Sequence, residues 1–369
     1  MTRYIQTKEK TKVLFCLYLA ILFSLNSCNY FKEDNSLTWQ SLGFDGKRVF
    51  ELSLSENVLY AAAGKDGLFR KDLGEVSSEW EYLGLAEPEV NFGVRTFYRN
   101  PETGIMYAGF FAYNWDGPGL FRSLDDGGNW DSFTKGIPNQ YEGRSAFLTK
   151  LTAPRGKPSQ IFAGTWSAIF RLNEDNTGWE YLDDNDEFGK GIFSISFNPN
   201  NSQEIWAGGR SGFETPRLLK SVDGGNEWVD KTGSISEHTQ LLDEINAIVF
   251  HPNEPNIIYL CTFNTIVKTS DGGISWRQID SDLNGENEFN DTNLDTFTLF
   301  KDLSINPSNP QEMLAAGKYL YYSKDEGNTW EVVPDTTRAG LKDLIVNWED
   351  RIAYTALFSP EKGIFKIKF

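Results

Sequence analysis

Three carboxylates occupy the same place in three similar segments: Glu51 in Val49-Phe50-Glu51-Leu52, Asp302 in Phe300-Lys301-Asp302-Leu303 and Asp343 in Leu341-Lys342-Asp343-Leu344. Two carboxyls at the right separation can act as acid and base, or acid and nucleophile, on a glycosidic bond. A set of them can hold a hard cation such as calcium. Lys301 and Lys342 precede two of the three, and Arg95 takes that second place in Val94-Arg95-Thr96. Adjacent Lys and Asp can instead neutralise each other, and no spacing in sequence fixes a distance across the fold. A second group is aromatic. Phe110 to Gly119 (FFAYNWDGPG) carries four rings, among them Tyr113 and Trp115, while Trp166 and then Arg210 with Phe213 and Glu214 stand in comparable stretches. Rings beside Arg and carboxylates suit stacking on sugars and hydrogen bonding to hydroxyls; they suit packing against neighbouring loops equally well.

Other chemistries fall away. His238 and His251 are the only histidines, and His251 sits in a His-Pro turn like those of Asn198 and Asn306. Neither a zinc site nor a Ser-His-Asp or Cys-His arrangement follows from that. No phosphate-cradling Gly-rich motif precedes a helix. The formal charge of −17 argues against nucleic acid as a partner. No cofactor motif is evident. Calcium is the one candidate, at Asp280 to Thr298 (DSDLNGENEFNDTNLDTFT), a stretch without the ordered spacing of a calcium-binding hand.

Whatever holds these groups is repetitive. Ser123 to Trp130 (SLDDGGNW), Ser221 to Trp228 (SVDGGNEW), Thr269 to Trp276 (TSDGGISW) and Ser323 to Trp330 (SKDEGNTW) share the pattern Ser/Thr-x-Asp-x-Gly-x-x-Trp. Asp and Ser side chains can hydrogen-bond the nearby backbone and close a turn, Gly supplies a positive φ, and Trp buries a large ring as the next strand begins. The motif resembles the Asp-box of the bacterial-neuraminidase repeat, found in sialidase-like, sortilin-like and photosystem II assembly-factor-like propellers. The resemblance implies that the boxes join third and fourth strands on the rim away from the ligand face. Asp125, Asp223, Asp271 and Asp325 are then structural. It implies no sialidase activity, because the Arg-Ile-Pro motif and a convincing arginine triad are missing. Propellers resembling xyloglucan hydrolases set catalytic Asp residues between two rings, and one ring is readable here.

The periodicity is consistent along the chain. Tryptophans at 80, 130, 179, 228, 276 and 330 are spaced by 50, 49, 49, 48 and 54 residues. Between them run short alternating segments rich in β-branched and aromatic residues, broken by Asn-Pro and Asp-Gly turns. First strands are expected near Val49, Val94, Phe147, Ile192, Ile245, Phe300 and Leu341. The seventh unit stops at Phe369 without a fourth strand, while Leu37 to Leu42 (LTWQSL) is a fourth strand without a unit. The reading is an all-β, seven-bladed β-propeller of four-stranded blades over 37–369, closed by the N-terminal strand joining the last blade.

Ahead of it, Arg3, Lys8, Lys10 and Lys12 precede an apolar run from Val13 to Leu25, too short for a comfortable membrane span. Leu25-Asn26-Ser27-Cys28 resembles a lipobox, which implies a signal peptide over 1–27, lipid on Cys28 and a tether over 28–36. Removing 1–27 would take away four basic residues and Glu9, moving the charge from −17 to −20. Lys32-Glu33-Asp34 looks like a surface-export signal of Bacteroidetes lipoproteins. Cys261, in an apolar run, is expected to be a buried small hydrophobe. The expectation is an outer-membrane lipoprotein, exposed at the cell surface or facing the periplasm, monomeric, and touching the membrane only through its lipid. It would bind a glycan or an envelope protein without catalysis, with Arg95, Tyr113, Trp115, Trp166 and Arg210 contacting the ligand. The alternative is a polysaccharide hydrolase or lyase using Asp302, Asp343 or Glu51.

Overall fold

The computed structural model describes residues 38–75, 78–90, 92–111, 119–137, 147–182, 190–212, 215–239, 243–283, 300–334, 340–358 and 363–369. The chain divides into two units, 1–38 with Phe369, and 39–368; the second carries the repeats. The expected signal, lipobox and tether lie outside the described residues, as do Tyr113, Trp115, Phe213 and Glu214.

The sequence order is β1 (Thr38–Ser41), then β2 (Glu51–Ser55), β3 (Val58–Ala62), β4 (Leu68–Asp72) and β5 (Glu81–Gly84) as blade one. Blade two is β6 (Gly93–Arg99), β7 (Met106–Phe111), β8 (Leu120–Ser123) and β9 (Asp131–Ser132). Blade three is β10 (Leu148–Thr152), β11 (Phe162–Thr165), β12 (Ile169–Leu172) and β13 (Trp179–Tyr181). Blade four is β14 (Ile192–Asn198), β15 (Asn201–Ser211), β16 (Thr215–Ser221) and β17 (Val229–Asp230). Blade five is β18 (Ile245–Phe250), β19 (Ile258–Thr262), β20 (Ile266–Thr269) and β21 (Arg277–Gln278). Blade six is β22 (Asp302–Ile305), β23 (Met313–Ala316), β24 (Leu320–Ser323) and β25 (Glu331–Val332). Blade seven takes β26 (Leu341–Asn347), β27 (Ile352–Leu357) and β28 (Ile364–Lys368), and its fourth strand is β1. This is a seven-bladed propeller closed by its N-terminal strand. First strands start within two residues of their expected positions.

Adjacent blades bury apolar faces against each other, so the core is layered around the ring. Tyr107 and Leu120 of blade two meet Leu148, Leu151 and Ile161 of blade three, and Tyr259 and Ile266 of blade five meet Leu303 and Met313 of blade six. Cys261 is fully buried, and burial pushes its thiol pKa up.

The repeated motif builds the same turn four times. In the first copy Ser123 Oγ donates to Asp125 Oδ1 at 2.8 Å, the Gly127 N–H donates to Ser123 Oγ at 2.9 Å and the Asn129 N–H to Asp125 Oδ1 at 2.8 Å. Asp223, Asp271 and Asp325 accept equivalent bonds. These donors hold the Asp271 carboxyl well below the usual carboxylate range, Ser275 contributing most. Gly273 shows why the fifth position is glycine: its φ is +86°, and a Cβ there would come within 2.3 Å of the Trp206 ring.

The tryptophans then tie blade to blade. Indole N–H groups of Trp80, Trp130, Trp179 and Trp330 donate to the carbonyls of Leu42, Leu83, Phe133 and Ile279, each in the preceding blade. Trp39 does the same at the ring closure, to Pro334 O at 2.8 Å. Trp228 breaks the series, because its buried indole N–H has no hydrogen-bond partner among the described residues. Trp330→Phe should therefore cost about 1–3 kcal/mol more than Trp228→Phe in urea unfolding, since only the first strands a buried carbonyl. Equal losses would refute the stitch.

Candidate functional site

The first strands carry an irregularity the sequence pattern does not announce. In blades two, three, four, five and seven the register slips by one residue near the strand start, between Val94 and Thr96, Leu148 and Lys150, Ile192 and Ser194, Ile245 and Ala247, and Leu341 and Asp343. Blades one and six have the same two-against-one arrangement: the Phe50 N–H donates to Ala62 O while Glu51 faces Ala62, and the Lys301 N–H donates to Ala316 O while Asp302 faces Ala316. A bulge puts two residues opposite one and re-aims a side chain. The seven extra residues, Phe50, Arg95, Thr149, Phe193, Asn246, Lys301 and Lys342, all line one cavity of about 360 Å³. The residue after the bulge lines it too in three blades, as Glu51, Lys150 and Asp343.

In four blades that following residue has a second task. Glu51 accepts from the Phe97 N–H at 2.9 Å, Thr96 from Leu151 at 2.8 Å, Ser194 from Ile248 at 3.0 Å, and Asp343 from Leu52. In each case a side chain of one blade holds a backbone N–H of the next. Glu51 also pairs with Lys150, two blades on. Asp343 takes the Leu344 N–H on its other oxygen at 3.1 Å, and Asp302 accepts from the Leu303 N–H at 2.8 Å. Burial, then mutual repulsion with Asp343, raises the Asp302 pKa; burial and Glu51 raise that of Asp343. Burial disfavours the Lys150 ammonium, but Glu51, Asp343 and Asp302 outweigh it and push its pKa up. The three sequence-selected carboxylates thus belong to one electrostatic cluster, although Asp302 does not line the cavity.

The lysines do not pair with the aspartates beside them, correcting that expectation. Asp343 and Asp302 are engaged by backbone N–H groups instead. Lys301 bonds Glu244 at 3.2 Å and Asn246 Oδ1 at 2.9 Å. Lys342 Nζ lies 3.6 Å from the centre of the Phe50 ring, buried and without a hydrogen-bond partner among the described residues. Burial, with Arg95, Arg48 and Lys301 nearby, drives its pKa well below the ordinary value.

Arg95, Trp166 and Arg210 come together in the same cavity. Trp166 offers no open face for stacking: it is 6% exposed, packs against Phe111 and Phe193, and has the Arg210 guanidinium 4.5 Å from its ring centre. Arg95 lies over Phe111 at 5.0 Å and Arg48 over Phe50 at 5.3 Å. Aromatic faces here seat cations. The sequence reading missed Arg48, Lys150 and Glu244. Counted from the expected start at Phe147, the third residue is Thr149, and only the observed start at Leu148 moves Lys150 into that place; Arg48 and Glu244 precede their strands and carry no such signal.

Asp280 opens the calcium-candidate stretch and is fully buried, with Thr265 Oγ1 donating to its Oδ1 at 2.6 Å; residues 284–299 lie outside the described residues. Among the described residues no group of three or more His, Cys, Asp or Glu side chains is placed to hold a metal.

No protein-family model matches the sequence, and no curated protein does. Solved structures match the fold. YCF48 bound to D1 peptide is 16% identical with a TM-score of 0.63, over 90% of this chain and 97% of that one. An ancestral GH74 enzyme is 15% identical at 0.52, over 89% of this chain and 37% of that one. The Niastella koreensis GH74 enzyme is 15% identical at 0.50, over 83% and 53%, so this chain spans about half its length. At such identities the likeness is one of fold.

Proposed function

We propose that this chain is a binding propeller, held at the cell envelope by lipid on Cys28, that engages a glycan through the cavity at the bulged ends of its first strands and cleaves nothing. The observation that carries the reading is the use made of the carboxylates. Glu51 and Asp343 spend oxygens holding backbone N–H groups of the next blade, and Asp302 does not line the cavity. A general acid or base must reach the substrate's atoms. The chain matches YCF48 over nearly its whole length, and that protein's structure carries a bound peptide. The GH74 enzymes are longer chains.

One observation favours a second reading. Asp302 and Asp343 are an interacting pair with raised pKa values, the condition a glycoside hydrolase arranges for its acid. A glycan array, run beside a reducing-end assay on a polysaccharide panel, separates the two. Retention of a glycan with no new reducing ends is the expected result. Release of sugar that Asp302→Asn abolishes would establish the hydrolase. Incorporation of labelled fatty acid into the wild type, lost in Cys28→Ser, is expected for the anchor; labelling of both would overturn it.

A further inference from the structure

The cavity is charged against the grain of the molecule. The chain carries −17 overall, yet Arg48, Arg95, Lys150, Arg210, Lys301 and Lys342 line the cavity against three carboxylates, Glu51, Glu244 and Asp343. A recess lined by one sign of charge focuses its field on a bound group. Three of the six cations are paired within the cavity: Lys150 with Glu51, Lys301 with Glu244, and Arg210 within 3.8 Å of Glu244. Lys342 stands apart, its amine buried against Phe50 with no hydrogen-bond partner among the described residues. A buried amine in that position lacks a counter-ion.

We propose, resting on the glycan-binding reading, that the cavity receives the carboxylate of a uronic-acid residue, with Lys342 as its direct counter-ion. The cations require an acid group. Glu51, Glu244 and Asp343, already engaged by N–H groups and cations, keep lone pairs to which sugar hydroxyls can donate, and Asn246 and Thr149 add neutral polar contacts. A run of acidic side chains from a peptide would set more carboxylates against Glu51, Glu244 and Asp343 and bring no hydroxyls. The chain's overall negative charge also disfavours a dense polyanion. A guanidinium laid flat on a ring, as Arg48 is on Phe50, presents its N–H groups edgewise to oxygen acceptors.

Binding should be coupled to a proton. In the free protein Arg95, Arg48 and Lys301 oppose charge on Lys342 and Asp343 favours it; Glu51 and Lys150 complete the lining of that sector. A ligand carboxylate adds an opposing charge, so Lys342 takes up a proton on binding. Affinity then falls as pH rises through the interval between the free and bound pKa values.

The test is isothermal titration of the purified protein with tetrasaccharides ending in glucuronate, galacturonate, mannuronate or guluronate, each beside its neutral hexose counterpart. Titrations run in two buffers of different ionisation enthalpy. At least one uronate ligand is expected to bind tenfold or more tighter than its counterpart, with net proton uptake, and Lys342→Met is expected to lose both. Buffer dependence in the wild type needs no variant, so a misfolded mutant leaves the test intact. Equal binding of acid and neutral sugars, or unchanged binding by Lys342→Met, would overturn the proposal while sparing the glycan reading. Binding of an acidic peptide with no sugar bound would overturn both.

Discussion

Asp343→Asn is expected to cost the fold about 2–4 kcal/mol at pH 7, while Asp302→Asn, a chemically identical change one blade away, should stabilise it at pH 8. Asp343 receives a backbone N–H on each oxygen, from Leu344 and from Leu52 across the junction between blades seven and one. An amide has one oxygen, so its NH₂ would face a donor and leave a buried N–H unpaired. Asp302 has one such bond, from Leu303 to Oδ1, which an asparagine oxygen keeps. The amide also removes a charge that burial and Asp343 both oppose. The sign follows from linkage. With the folded pKa above its ordinary 3.8, the folded state holds the Asp302 proton longer than the unfolded state does. The destabilisation from ionising it begins near pH 3.8 and is complete once the pH exceeds the raised folded value. The gain from Asp302→Asn should therefore be present at pH 8 and absent at pH 3.5 in denaturant titrations. Equal losses from the two variants would show that both carboxylates serve the scaffold in the same way.

Beginning the chain at Leu42 is expected to lower stability by about 3–5 kcal/mol and to induce association. The truncation removes β1, uncovers the edge of β28 and deletes the Trp39 N–H bond to Pro334 in the neighbouring blade. It also removes the edge contact of Trp39 with Phe365, at 6.1 Å between ring centres. An unpaired edge is a template for another chain. Light scattering and thermal unfolding read the effect. A synthetic peptide spanning residues 36–43 should restore the melting temperature by adding its strand to the same edge. An unchanged melting temperature in the truncated chain would mean that the six complete blades carry the ring alone.

The ring itself was legible because its signals are local. Spacing of the tryptophans, the Ser/Thr-x-Asp turns and the orphan segment at Trp39 each reflect one unit, and the units repeat. The site was legible only in part. Glu51, Asp302 and Asp343 were found by comparing first strands, and the structure does gather them in one cluster. Their partners could not be read, because an inter-blade bond such as Leu52 to Asp343 joins residues 291 apart. Lys342 shows the limit best. The sequence sets it beside Asp343, but the bulge and two backbone donors separate the pair's chemistry. Trp166 fails similarly: composition marks a large ring in a loop, and only packing shows Arg210 laid on its face.

The bulges have an evolutionary consequence. A bulged residue is an extra one in its ladder, so its identity is decoupled from the strand pairing that builds the blade. Phe50, Arg95, Thr149, Phe193, Asn246, Lys301 and Lys342 span aromatic, cationic and neutral polar types at equivalent positions, which shows how wide that tolerance already is within one chain. Mutational drift at those seven positions can change what the cavity recognises while the stitches at Glu51, Thr96, Ser194 and Asp343 keep their blades in register. In blades two and four, where the stitching residue stays out of the cavity lining, specificity and foldability are inherited separately, on adjacent residues of the same strand.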